Sequence, residues 1–290
     1  MRESPPSLAS DILQLGKPRI TLLVVITTVM GFKMADAGVT DWPRLLTMLV
    51  GTALVSLGIN SLNQWMERDI DGLMPRTANR PLPTGRLQPT PVLVGGGLAT
   101  LSGFAVLILG TNTLALGIAL LVAVFYLFFY TPLKRITEWN TAIGAVPGAL
   151  PPVLGWCVVT GQVSLQAVAL FLIMFAWQFP HFMPIAWIYR EDYARAGLVM
   201  ISVGDTGGKR IQRNVLVWTV VMVAVSLIPW IIGMAGWLYL AGALLLGAGF
   251  FAAALRMARN LNDLNARIML KASVIYLPFL LLLLLLDSSN

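Results

Sequence analysis

The stretch "NQWMERDIDGLMPRTANRPLPTGR", residues 63–86, packs three carboxylates and four arginines into 24 residues. It closes a long apolar run in a chain that is 57 % hydrophobic and only 11 % charged. That composition is too apolar for a soluble globular domain. Apolar runs of about 18 residues or more read as transmembrane helices. Nine are legible, at 20–36, 43–64, 92–110, 113–131, 139–159, 163–188, 213–234, 236–256 and 269–286. The expected fold class is an all-α integral membrane protein of about nine transmembrane helices, one domain over 1–290. Turn signals such as "GTNT" at 110–113 and "GMAG" at 233–236 keep several connections short. The connections 65–91 and 189–212 are long and charged, and they are the candidate active-site loops.

Charge gives the orientation. Of the 20 Lys and Arg residues, all but Lys33 and Arg44 fall in one alternating set of connections. The excess of basic residues on cytoplasmic loops predicts a cytoplasmic N-terminus and an external C-terminus, periplasmic in a bacterial inner membrane. The formal charge of +7 then reads as loops facing anionic lipid, not as a nucleic-acid surface. Residues 1–16, "MRESPPSLASDILQLG", contain acids and prolines without an apolar core. They are expected to be a cytoplasmic segment rather than a secretory signal. The single cysteine, Cys157, excludes an intrachain disulfide and a Cys-based metal site, and reads as a small packing residue.

Within the opening stretch, helical geometry turns each residue by about 100°. Asn63, Glu67 and Asp71 then lie at about 0°, 40° and 80°, with Asn60 at about 60°, on one face. Asp69 points away and, with Arg68, reads as solvated. If the helix continues past residue 65, its end carries a column of oxygen ligands. Two carboxylates four residues apart suit Mg²⁺, which keeps waters and takes phosphate oxygens as further ligands. Arg76, Arg80 and Arg86 follow in a Pro/Gly-rich loop, and guanidinium groups match phosphate oxygens. Acids for metal and arginines for phosphate at a membrane surface describe a site for a lipid diphosphate.

A second charged segment, "WQFPHFMPIAWIYREDYARAG" (177–197), ends on the same side and suggests a weak internal repeat. Glu191 and Asp192 are candidate metal contacts there. Arg190, Arg195, Tyr189 and Tyr193 are candidate phosphate contacts. His181 is the only histidine. On a continuous helix it shares a face with Asp192, about 20° away and roughly 16 Å deeper. Pro180 and Pro184 are expected to kink or loosen that helix. An intramembrane histidine is a functional candidate by default. A third stretch, "YTPLKRITEWNTAIGAVPGALPPVLGW" (130–156), offers Lys134 and Arg135 to the same anion. Its Asn140 and glycines lie in a span, and the Gly144–Gly148 pair reads as close helix packing.

At these three stretches the chain resembles the UbiA-type intramembrane prenyltransferase superfamily, and within it the haem O branch. The superfamily's first motif, Asn-Asp-x-x-Asp-x-x-x-Asp, reads "NQWMERDID" here. Asn63, Glu67 and Asp71 match by position, with Gln64 at the second and Glu67 at the middle acid. "RTANRPLPTG", "YTPLKR", "WQFPHF" and "DYARAG" are also similar to the haem O branch. The resemblance runs from about Lys17 to Met200. The last three spans match mainly as apolar helices, so no residue is carried over from them. In the second motif, Tyr189 and Tyr193 stand where acids are expected.

The resemblance implies a UbiA-type bundle that transfers farnesyl from farnesyl diphosphate to a vinyl group of haem B, adding water to give haem O. It implies Mg²⁺ on Glu67, Asp71 and Asp192, with Asn63 and His181 also catalytic. It implies Arg76, Arg80, Lys134, Arg135, Tyr193 and Arg195 on the diphosphate. His181 would meet the haem, as an iron ligand or a polar group near the reacting atoms. Trp65, Tyr130, Trp177, Phe179 and Phe182 are candidates to stabilise a carbocation. Haem A synthase or a terminal-oxidase assembly is the implied protein partner. Three rivals stand beside this: a related enzyme acting on an aromatic acid or quinone precursor, a transporter of a phosphorylated lipid, and a structural subunit of an oxidase.

Overall fold

The computed structural model describes residues 7–36, 38, 40–205 and 207–288. Residues 1–6 of the expected N-terminal segment, Arg2 among them, lie outside the described residues. Among the described residues nine helical runs are long and apolar enough to cross a membrane. A short surface helix α1 (Leu8–Leu15) precedes α2 (Pro18–Ala35), α3 (Trp42–Asp71) and α4 (Pro89–Gly110). Next come α5 (Thr113–Val124), a π turn (Phe125–Tyr130) and α6 (Thr131–Leu133), which together make one span. The fifth span is α7 (Asn140–Ala149) and α8 (Pro151–Thr160), joined at Leu150. Then follow α9 (Leu165–Ile188) and the short α10 (Arg190–Arg195). The last three spans are α11 (Lys209–Val225) with α12 (Ile228–Ile231), α13 (Trp237–Arg259) and α14 (Asp263–Leu286).

Prolines open many of these helices. Pro18, Pro89, Pro132, Pro151 and Pro229 each sit in a first turn, where the missing N–H costs nothing. Pro180 and Pro184 stand inside α9, which stays helical throughout, so the expected loosening does not interrupt it. Exposed large side chains such as Leu22, Leu101, Phe128 and Leu245 form the face offered to lipid.

Helices α2 and α8 meet backbone to backbone. A Cβ on Gly31 would overlap the carbonyl of Pro152, and one on Gly155 would overlap the carbonyl of Thr28. Small residues permit that approach where apolar lipid gives no hydrophobic drive between helices. Gly144 and Gly148 behave differently. Their faces are filled by the Tyr130 ring and the Gln178 amide, so this pair makes room for side chains rather than for a second backbone.

The helix α3 runs through Asp71, so residues 65–71 of the expected loop are helix. The second long connection is also partly ordered, as α10. The break at Tyr189 (φ −105°, ψ 19°) ends α9 before Asp192. The helical arithmetic linking His181 to Asp192 therefore does not hold, because the two residues sit on separate helices.

Candidate active site

The acids of α3 keep the register their spacing predicts. Asn60, Asn63, Glu67 and Asp71 are all buried and line one cavity of about 530 Å³, whereas the Asp69 side chain is 84 % exposed. Each carboxylate faces a cation. Lys134 Nζ donates to Glu67 Oε1 at 2.6 Å, and an Arg80 amino group donates to Asp71 Oδ2 at 2.5 Å. Arg76 also lines the cavity, its guanidinium 5.0 Å from the centre of the Tyr189 ring. Arg86 points elsewhere and forks onto Asp11 of α1 at 3.0–3.1 Å.

Lys17, counted in the sequence only as a basic residue, is a member of this mouth. Among the described residues it is the one non-glycine with positive φ, at 46°. That conformation costs on the order of 1–3 kcal/mol and persists only where the surroundings over-determine it. Here they do. Gln64 Nε2 donates to the carbonyls of Gln14 and Leu15, and Thr21 Oγ1 donates to that of Gly16. An aspartate in place of Gln64 could accept but not donate, so this departure from the superfamily motif fits the tether on α1. The strained turn delivers Lys17 Nζ to Asn63 Oδ1 at 2.8 Å.

Asn63 in turn donates through Nδ2 to Thr131 Oγ1 at 3.1 Å, and Thr131 donates to the Tyr126 carbonyl within the π turn. Asn63 is thus a brace between two spans and the turn before α2, with its oxygen already on the Lys17 ammonium. The π turn presents Tyr126 and Tyr130 to the cavity, in keeping with the tendency of such turns to mark functional sites.

The cations differ electrostatically. Burial, reinforced by Arg80, pushes the Lys17 ammonium down to about 7. Burial works against Lys134 too, but Glu67 and the phenols of Tyr130 and Tyr126 outweigh it and hold this ammonium above its ordinary range. Burial keeps the Tyr193 phenol protonated, against the pull of Arg76.

Deeper in, the cavity is walled by apolar side chains such as Val24, Ile59, Val122 and Leu154, and it reaches Gln178, His181 and Phe182. Of the proposed cation-stabilising aromatics, Tyr130 and Phe182 line it. Phe179 stacks on Trp218 at 3.7 Å, Trp65 packs beside Leu15 and Leu82, and Trp177 stacks on His181 at 4.5 Å. Asn140 lines the cavity while donating to the carbonyls of Thr137 and Val199.

Tyr193 is the one cavity-lining residue of α10. Asp192 and Arg195 are not in the wall, and they face each other at 4.0 Å. Glu191 lies against Arg190, which also reaches Asp263. Arg135 does not line the cavity. Among the described residues no three His, Cys, Asp or Glu side chains converge as a metal site, so the trio of Glu67, Asp71 and Asp192 is not assembled.

The UbiA prenyltransferase family matches residues 24–281 of the chain. A protoheme IX farnesyltransferase of Solibacter usitatus is 43 % identical, over 96 % of this chain and 98 % of its own. One of Koribacter versatilis is 41 % identical, over 99 % and 96 %. Among solved structures, a digeranylgeranylglyceryl phosphate synthase superposes with a TM-score of 0.81 at 19 % identity, over 96 % of this chain and 97 % of that one. A UbiA homolog from Archaeoglobus fulgidus bound to DMAPP and Mg²⁺ gives 0.67 at 16 % identity, over 95 % and 99 %. With two carboxylates in register at the mouth of an apolar cavity and a family match along nearly its whole length, this chain belongs to the UbiA prenyltransferase family.

Proposed function

We propose that the chain transfers a farnesyl group from farnesyl diphosphate to a vinyl group of haem B, with addition of water, releasing diphosphate and giving haem O. The observation that carries this reading is one cavity whose wall holds paired acids and bases, a run of apolar side chains and the chain's one histidine. The Solibacter and Koribacter relatives are, by their names, farnesyltransferases of protoheme IX, which supports this reading.

Glu67 and Asp71, one turn apart and facing the same space, suit Mg²⁺, which is held by one or two carboxylates plus substrate phosphates. That ion would neutralise charge on the diphosphate. For the acids to reach a metal, Lys134 and Arg80 must swing from them, and diphosphate oxygens are the natural new partners of both. Arg76 and the Tyr193 hydroxyl stand ready at the same mouth. These donors stabilise the charge that builds as the allylic C–O bond breaks.

The prenyl chain lies along the apolar wall. Tyr130 and Phe182 offer ring faces to the allylic cation, and the apolar depth keeps water from quenching it. The vinyl carbon attacks, and water captures the cation left on the porphyrin side chain. In this reading Asn63 acts by holding Lys17, and Asp192, Arg135 and Arg195 act from outside the cavity wall.

The charge asymmetry supports placing this mouth on the cytoplasmic face of a bacterial inner membrane, with the C-terminus periplasmic. Haem O feeds terminal oxidases, so haem A synthase or an oxidase assembly is the expected partner. Mass spectrometry of haem extracted from membranes with and without the chain tests the reaction. A gain equal to farnesyl plus water supports it; unaltered haem B with the protein present and both substrates supplied overturns it.

A further inference from the structure

Ser273 lies in α14, far in sequence from every motif above. It is fully buried, and its Oγ makes two contacts. One is to the Leu270 carbonyl at 2.7 Å, the other to His181 Nδ1 at 2.8 Å. A carbonyl can only accept, and two oxygens 2.7 Å apart repel unless a proton lies between them. The serine has one proton, and the Leu270 carbonyl takes it. The imidazole must therefore supply the proton in the second contact, from Nδ1. A neutral imidazole carries one N–H, so Nε2 keeps its lone pair. His181 lines the cavity, and its Nε2 has no hydrogen-bond partner among the described residues.

Trp177 completes the clamp. Its ring stacks on the imidazole at 4.5 Å and 19°, and its Nε1 donates to the Ser273 carbonyl at 2.8 Å. The imidazole is gripped on one face by Trp177 and at one nitrogen by Ser273.

We propose that Ser273 is a positioning residue that fixes His181 as its Nδ1–H tautomer, so that Nε2 presents a bare lone pair to the cavity as a ligand for the iron of the haem acceptor. Histidines that ligate metals nearly always donate their other ring N–H in this way, which sets the tautomer and raises the basicity of the ligating nitrogen. The iron-ligand half of this inference rests on haem being the acceptor; the tautomer half does not.

The test uses the full chain, purified with a histidine-free tag so that His181 is the only imidazole, and labelled with ¹⁵N-histidine. Without haem, the ¹⁵N spectrum should show a protonated Nδ1 and a bare Nε2. Ser273→Ala should shift the population towards Nε2–H, and Ser273→Thr should restore the original form. Ser226→Ala is the control: that serine is also fully buried and also donates to a carbonyl three residues back, yet it touches no histidine. It should leave the spectrum unchanged. A wild-type spectrum with Nε2 protonated, or one insensitive to Ser273→Ala, overturns the assignment.

Haem titration followed at the Soret band reads the second half. Ser273→Ala should weaken haem binding by about tenfold, and His181→Ala should abolish the ligand-dependent band shift. A shift that survives in His181→Ala overturns iron ligation and leaves the tautomer assignment standing. Turnover that makes no haem O while both spectroscopic results hold overturns the proposed reaction instead.

Discussion

Two charged segments follow α3 and α9, and they differ in what holds them. At the end of α3, Glu67 and Asp71 stay in helical register, so both are carried into the bundle, where Glu67 meets Lys134 and Asp71 meets Arg80. The Asp71 side chain is 2 % exposed and the Arg80 side chain 18 %. After α9 the helix stops at Tyr189, and the acids of the next helix have only neighbouring surface arginines for company. The Arg195 side chain is 52 % exposed and lies 4.0 Å from Asp192. A carboxylate becomes part of this site when a continuous helix delivers it. Sequence likeness between two charged span ends does not do so alone.

Substitutions can break that comparison. Asp71→Ala should have the largest effect, a fall in haem O formation of about 10²-fold or more with membrane insertion intact. Near-normal turnover at limiting Mg²⁺ would remove the metal from Asp71. Arg80→Ala should raise KM for farnesyl diphosphate by about tenfold or more and leave KM for haem nearly unchanged. An effect confined to haem would contradict its place on the diphosphate.

Lys17 sharpens the comparison through pH. Its ammonium is destabilised in the free protein, to about 7, and an anion stabilises it. Binding therefore takes up a proton, and affinity for diphosphate should fall as pH rises through 7. The expected loss is roughly five- to tenfold between about pH 6.5 and 8. Lys17→Met should flatten that component and leave the ligand's own ionisation. Identical pH profiles for the two proteins would refute it. Asp192→Asn should do least, changing kcat/KM by less than about twofold, in line with exposed ion pairs. A loss comparable to that of Asp71→Ala would mean that α10 joins the mouth when substrate binds.

Much of the fold was legible because lipid imposes simple rules: spans must be apolar for some 18 residues or more, and Lys and Arg gather in one alternating set of connections. The register of Asn60, Asn63, Glu67 and Asp71 was legible for the same reason, since a straight helix obeys its period. What escaped were contacts between distant segments. Lys134 lies 67 residues from Glu67, and Lys17 lies 46 from Asn63. No local spacing encodes either. The end of α9 escaped because the break falls at Tyr189, with no glycine or proline to announce it. Ser273 escaped because it is one small polar residue in an apolar span, visible only once α14 is packed against α9. The turn at Lys17 escaped too, since a residue directly before a proline is expected to be extended and not left-handed.

The ion pairs at the mouth also bear on how a catalytic cycle finishes. A pocket of unshared cations would hold free diphosphate tightly and release it slowly. Here Glu67 and Asp71 are tethered rivals of that leaving group, always present at high local concentration on the same rigid helix. In the proposed reaction each acid would reclaim its own cation once a bound metal had left, and the anion would be displaced rather than merely allowed to drift away. The protein carries its own eluent, and it should therefore tolerate accumulated diphosphate better than its positive charge alone suggests.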